Sequence, residues 1–398
     1  MSRFLTNDYT NRDPRALLNS AKMATLSECA IPVKQYITAT GADSLQVEEG
    51  CIISIYGGGV FKTDTTILTA ANLDVGSVFT AGKDYYIYLC DLGSTNDEVY
   101  KISLNSTYPE GFTAASSRKI GGFHYGKCRN VNTALQPINA SSVVRGTGWE
   151  SSVFDGIVPR SVWTLAHRPK CNPEGMVYLA SGVWVDIYLA SDDGAGGLQS
   201  EKGATPLTGT EGLNWYSFVE RALAVGKRLL TYEEWLQAAF GSPQGLADAN
   251  TNAWSASTNT ARQVCGYVDN AVSSVGCRDC VGNVWEWLNE LITRADHTKL
   301  NGSGTFPSYD GGRAGKAYTS GNGHYHATND GAWGWDTFSP FGDGYGNIYQ
   351  YNDYSLVALI AGGCWLDAAP AGARAVGLGN YPWDVDAIIG ARCACDSL

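Results

Sequence analysis

Cys277-x-x-Cys280 and Cys393-x-Cys395 are the motifs of this chain with the strongest ligand chemistry, because four convergent thiolates hold zinc tetrahedrally. The two pairs stand far apart and lack the spacing of a zinc ribbon, so they read as buried structural thiols. Histidine offers less. Of His124, His167, His297, His324 and His326 only the last two are close, inside a glycine-rich stretch, which falls short of the ligand set of a non-haem iron site. Glu286, within Trp285-Glu-Trp287, invites a general-acid role but reads better as a hydrogen-bonding partner of a neighbouring loop. The chain holds no G-x-S-x-G, no phosphate-binding Walker loop and no H-E-x-x-H. No catalytic residue is expected.

The elements that position these groups are mostly strands and loops. In 398 residues there are 47 Gly, 22 Tyr and 12 Trp beside 3 Met, a mix in which glycine permits turns and aromatic rings hold them down. With 44% apolar and 17% charged residues the chain is a folded protein with sizeable cores. Its net charge of −11, without a basic cluster, argues against nucleic acid as a partner. The first twenty residues lack the apolar segment of a signal peptide. The longest apolar run, Leu356 to Leu366, is too short to span a bilayer and is broken by Gly362 and Gly363. A buried strand is expected there, and a soluble protein without membrane insertion. The 11 Cys show no small-domain disulfide spacing, so most are expected to be buried thiols.

Residues 1–35 are polar and read as an arm or attachment segment. From 36 to 126, short β-branched and aromatic runs (Ile52–Tyr56, Tyr85–Leu89, Val99–Leu104, Arg118–Tyr125) alternate with Gly, Asp, Asn and Ser clusters, the pattern of an all-β, sandwich-like module. Residues 127–152 read as a linker, and 153–398 as a second domain. Strands are expected at Met176–Leu179, Val183–Leu189, Ala361–Trp365, Gly372–Val376 and Gly390–Cys395. Two helices stand out. Trp215, Phe218, Val219, Ala222 and Leu223 form one apolar stripe that stops at Gly226, and Thr231-Tyr-Glu-Glu234 is a capping box ahead of Trp235, Leu236, Ala239 and Phe240. Long loops such as Gly311–Tyr345 follow, and the fold class is α+β.

Gly282-Asn-Val-Trp-Glu-Trp287, Gly362-Gly-Cys-Trp365 and Gly390-Ala-Arg-Cys393 resemble the formylglycine-generating-enzyme branch of the C-type lectin fold. Ala81 to Asp91, Arg118 to Tyr125, Met176 to Leu189, Gly226-Lys-Arg-Leu229 and Gly362 to Asp396 together resemble, more specifically, the retroelement-diversified tropism-determinant family of phage tail receptor-binding proteins. The resemblance runs from about residue 36 to the C-terminus and leaves the first 35 residues outside it, with no room for an N-terminal β-prism.

That resemblance implies a C-type lectin domain with a variable region at 362–396, in which adenine-directed mutagenesis changes Cys364, Leu366, Ala368, Pro370, Gly377, Leu378, Gly379, Asn380, Asp384, Asp386, Ile388 and Ile389. Adenine replacement in Asn-type codons cannot yield Lys, Glu, Gln, Met or Trp, and none of these positions holds one. Alternation along 364–370 and 384–388 is expected to place the variable side chains on one face, with Trp365, Ala369, Trp383 and Val385 on the other; Trp365, Arg374, Trp383 and Arg392 are the implied scaffold. The implied role is hypervariable binding of a host cell-surface receptor, a protein, by a homotrimer at the tip of a virion tail fibre; a bacterial cell-surface location is the less favoured one. The alternative is a sulfatase-modifying, formylglycine-generating oxidoreductase. Its copper site needs two closely spaced cysteines, whereas Cys364 has no second cysteine in 365–376 and Cys393 reads as a buried thiol. No catalytic cofactor is implied, and a structural Ca²⁺ or Mg²⁺, with Glu286 as a candidate ligand, stays open.

Overall fold

The computed structural model describes residues 29–30, 35–55, 59–93, 97–133, 135, 153–242, 261–293, 314–317, 347–350, 356–367, 371–373 and 375–398. They are mostly β, with two α-helices among them, and divide into two compact units. One comprises residues up to Gly126 with Asp155–Pro169 and Ser397–Leu398; the other comprises Lys127–Phe154 and Lys170–Asp396.

In the first unit the strand Lys83–Asp91 lies between Glu98–Ser103 and Ser117–Arg129 in one antiparallel sheet, and Ile37–Gly41, Ser44–Val47 and Thr66–Leu68 form another. Their inward residues, among them Ile37, Leu45, Ile87, Leu89 and Phe123, share one core. Phe79 packs 5.2 Å from the Tyr85 ring and 5.5 Å from that of Phe123, so an aromatic side chain fastens a loop to the sheet as the composition suggests.

The sheet reaches further along the chain than the sequence pattern indicates. Val153–Ile157 and Trp163–Thr164 both add to Ser117–Arg129, with Trp163 opposite Gly122. A Cβ on Gly121 would lie 2.5 Å from the Trp163 carbonyl oxygen, and one on Gly122 would lie 2.7 Å from its indole nitrogen. The glycine pair admits a partner remote in sequence. Asp155–Pro169 thus group with the first unit, and 127–129 end the strand Ser117–Arg129.

In the second unit, helix α1 (Trp215–Ala224) starts at Asn214, whose Oδ1 accepts the Ser217 N–H at 3.0 Å, and gives way to Gly226 at φ +72°. Trp215, Phe218 and Ala222 are buried, but Leu223 is exposed, so the stripe is narrower than expected. Helix α2 (Tyr232–Ala239) carries the expected capping box, Thr231 with Glu234. A four-stranded sheet runs Met176–Tyr178, Val183–Asp186, Cys393–Asp396, Arg228–Leu229. A six-stranded sheet runs Ala314–Ala317, Asn347–Gln350, Val376–Asn380, Leu356–Ala361, Trp285–Thr293, Ile389–Ala391. The apolar run from Leu356 is the buried strand expected, but it ends at Ala361, and the strands expected at 361–365 and 372–376 are displaced to 356–361 and 376–380. Gly362 and Gly363, at φ +97° and +88°, form the turn that shifts them. No helix among the described residues is long and apolar enough to cross a membrane.

Candidate functional site

The framework of the site is charged and fully buried. Trp285–Thr293 pairs antiparallel with Leu356–Ala361 and parallel with Ile389–Ala391, which brings Glu286 opposite Gly390, beside Arg392. The Arg392 guanidinium donates Nε and Nη2 to the two Glu286 carboxylate oxygens at 3.0 Å each. Nη1 donates to the carbonyls of Asp186 and Ile187 at 2.9 and 2.6 Å, and Nη2 to that of Arg278 at 2.5 Å. Every N–H of the fork is used. Burial pushes the Glu286 carboxyl up, and the Arg392 charge opposes that shift. The expected loop contact of Glu286 is thus an ion pair with the scaffold arginine.

Lys227 and Asp186 form a second buried pair at 2.7 Å, exposed 5% and 0%. Burial works against the Lys227 charge, but Asp186 more than offsets it and raises the lysine. Cys393 lies within reach of both charges, while Cys277 and Cys280 lie inside the unit. Among the described residues no group of three or more His, Cys, Asp or Glu converges as a metal site, so the four thiols of the C-x-x-C and C-x-C motifs do not assemble for zinc. His124 is a packed residue of the first unit, bonded to Asp84 at 3.1 Å; His297, His324 and His326 lie outside the described residues.

Gly362 leads into the first variable stretch. A Cβ there would lie 2.5 Å from the Cys280 carbonyl oxygen, and one on Gly363 would lie 2.6 Å from the Ala371 Cβ, so both glycines are required by close approach as well as by φ. Cys364 N–H donates to Asp367 Oδ2 at 2.8 Å and Trp365 N–H to the Asn283 carbonyl at 3.1 Å. The turn so held leaves Leu366 67% exposed and Cys364 fully buried. Desolvation, then the charge of Asp367, pushes the Cys364 thiol up, the reverse of what a copper ligand or nucleophile requires. The charge of Asp386 also acts on that thiol, which places the second variable stretch beside the first.

That second stretch is turned, not extended. Asp384 N–H donates to the Tyr381 carbonyl at 2.9 Å across a β-turn with Pro382 at its second position, and Asp384 Oδ2 accepts the Tyr381 N–H at 2.8 Å. Asp386 Oδ1 accepts the Ile388 N–H at 3.1 Å. Two main-chain bonds fasten the stretch to the framework, from Trp215 N–H to the Pro382 carbonyl at 3.1 Å and from Gly209 N–H to the Asp386 carbonyl at 3.0 Å. Trp383 and Val385 are each 54% exposed, and the Trp383 ring stacks on Tyr381 at 5.2 Å and 11°.

The expected two-face division is therefore corrected. Trp383 and Val385, assigned inward, face solvent; Asp384 and Asp386 are half-buried because their carboxylates close the turn. Of the nominated variable residues, Leu366 is exposed, Gly379, Asn380 and Ile388 are half-buried, and Cys364, Gly377, Leu378 and Ile389 are buried. Gly377 faces Ile360 across the sheet, where a Cβ would approach to 2.5 Å. Ala368, Pro370 and Arg374 lie outside the described residues. Trp365 is half-buried and Arg392 buried. The platform of Tyr381, Trp383 and Val385 was missed, although Tyr-Pro-Trp-Asp is a legible turn with proline at its second position.

Fold and site together define a C-type lectin-like unit in which a buried ionic framework carries an exposed loop surface. A model of the sulfatase-modifying factor enzyme 1-like domain matches residues 190–397, and the chain belongs to that family. Residues 35–150 match a model of the Mtd second domain. The chain is 27% identical over 381 residues to the tail fiber receptor-binding protein of Bordetella phage BPP-1, covering 91% of this chain and 82% of that protein. Among solved structures it is similar to the Major Tropism Determinant U1 variant, at 25% identity, TM-score 0.58 and coverage of 94% and 86% of the two chains. The M1 variant gives 24%, a TM-score of 0.61 and coverage of 94% and 87%.

Proposed function

We propose that this chain is a receptor-binding protein of a phage tail, located on the virion, which contacts its host through a retroelement-diversified surface in 362–396. The carrying observation is the loop at 381–387, where bonds made from backbone and Asp side chains present the exposed Trp383 and Val385, which stand between nominated variable positions without belonging to them, and leave their side chains for a partner. An aromatic platform on a rigid turn suits a protein receptor, since aromatic anchors carry most of the energy at such interfaces. Residues 1–35 serve attachment, and three copies present their surfaces together, which multiplies weak single-site affinity.

The family's enzymatic members motivate a second reading, formylglycine generation. It requires a copper-binding cysteine pair, and the residues do not fit: Cys364 is buried with a raised thiol and has no second cysteine in 365–376. No step through copper is derived.

Adsorption tests the proposal. Fluorescently labelled chain should bind saturably to intact cells of some strains in a bacterial panel and be displaced by unlabelled chain. Trp383→Ser should weaken that binding at least ~10-fold while moving the melting temperature by no more than a few degrees. Equal binding by the variant would remove the platform from the site, and aldehyde formation on a cysteine-containing sulfatase peptide, abolished by Cys364→Ser, would favour the enzyme.

A further inference from the structure

Cys171 and Cys395 face each other at the two ends of the second unit. Leu398 N–H donates to the Arg168 carbonyl and Lys170 N–H to the Asp396 carbonyl, both at 3.0 Å, while Pro169 bridges Ser397 antiparallel. This register makes Cys171 and Cys395 the next facing pair. Facing Cα atoms of an antiparallel pair lie about 4.5–5.5 Å apart and a disulfide spans about 4.4–6.8 Å, so the bond is within reach of this pair. The local contacts agree. Cys171 N–H donates to Cys395 Sγ at 3.3 Å, and the Cys171 thiol donates to the same sulfur. Both are thiols in this structure. Cys171 is partly open to solvent, whereas Cys277 and Cys280, also adjacent, are sealed inside.

We propose that Cys171 and Cys395 form a redox-controlled disulfide that ties the entry of the second unit to its last strand when the protein meets a low-molecular-weight disulfide. In the first step the Cys395 thiolate attacks that reagent; a mixed disulfide forms and one thiolate leaves. Cys171 then loses its proton to solvent and attacks the Cys395 sulfur, closing the intrachain S–S bond and expelling the second thiolate. Two protein sulfurs are oxidised and the reagent is reduced to two thiols. Cys395 suits the attacking role: bonds from the Cys171 thiol, then from the backbone N–H groups of Cys171 and Lys170, pull it down to about 6 against burial.

The bond closes a loop spanning 224 residues that includes nearly all of the second unit, and so constrains its unfolded chain strongly. The inference stands independently of the receptor-binding reading. Reduced full-length chain is treated with oxidised glutathione at neutral pH, quenched with iodoacetamide in denaturant, and mapped by mass spectrometry. The expected product has lost two hydrogens, yields a Cys171–Cys395 linked peptide, and melts several degrees higher until dithiothreitol is added; Cys171→Ser should show none of this. Full alkylation of both cysteines in the wild-type chain, or a bond found only at Cys277–Cys280 or between chains, overturns the proposal without reliance on any variant.

Discussion

Between Trp383 and Arg392 the chain passes within one short stretch from a side chain 54% exposed to one 1% exposed. Both positions are held rigidly, but by opposite means. Arg392 is fixed by its own side chain, whose fork contacts a carboxylate and three carbonyls on segments distant in sequence. Trp383 is fixed by its neighbours, through the Tyr381–Asp384 turn and the bonds from Trp215 and Gly209. A position whose geometry does not depend on its own side chain can change chemistry at little structural cost, while one that is the hub of a buried network cannot. The same difference separates Leu366, at the tip of its turn, from Cys364, at the base.

Arg392→Met is the largest expected break in this contrast. It leaves the buried Glu286 carboxyl without its arginine partner and removes three hydrogen bonds to main-chain carbonyls, so a loss of about 3–5 kcal/mol is expected in denaturant unfolding. A loss below about 1 kcal/mol would show that the ionic framework is not what holds the site.

Gly209→Ala acts on the joint between the two regions. A Cβ there would lie 2.2 Å from the Asp386 backbone nitrogen and 2.6 Å from its carbonyl, so the turn must move. Unfolding should cost about 1–3 kcal/mol less than for the wild type. Cell binding should fall even though no presented side chain has changed; unchanged binding would mean that the turn is not positioned from Gly209.

Glu211 gives the smallest effect and a pH signature. Its carboxylate accepts the Thr208 N–H at 2.8 Å and two Arg262 N–H groups at 2.8 Å each, steadying the segment that carries Gly209. Burial opposes ionisation, but the Arg262 and Thr208 bonds prevail and hold this carboxyl below its ordinary value. Its contribution is therefore complete above the unfolded-state pKa of about 4.3 and is lost as pH falls through the lower folded-state value. Glu211→Gln should melt below the wild type at neutral pH, with the gap closing below about pH 4; a pH-independent gap would assign the role to packing.

Local signals were legible where neighbours in sequence are also partners in space. The capping box at Thr231, the apolar face of Trp215, Phe218 and Ala222, and the runs around Tyr85–Leu89 and Arg118–Tyr125 all report contacts within a few residues or on an adjacent strand. Alternation over 384–388 misled because it presumes extended backbone, and Pro382 with the Asp384 carboxylate had already turned the chain.

By itself the sequence determined a strand-rich fold with two helices, a burial requirement for its many cysteines, and a C-terminal stretch of mixed character, because these follow from local conformational cost and from apolar patterning. Only the tertiary structure decided that Trp163 belongs with Gly122, that Glu286 and Lys227 find Arg392 and Asp186, that Cys171 meets Cys395, and that Trp383 rather than Asp384 faces solvent. Each of these depends on strand register and main-chain hydrogen bonds between segments far apart in the chain, which no local window of residue types encodes.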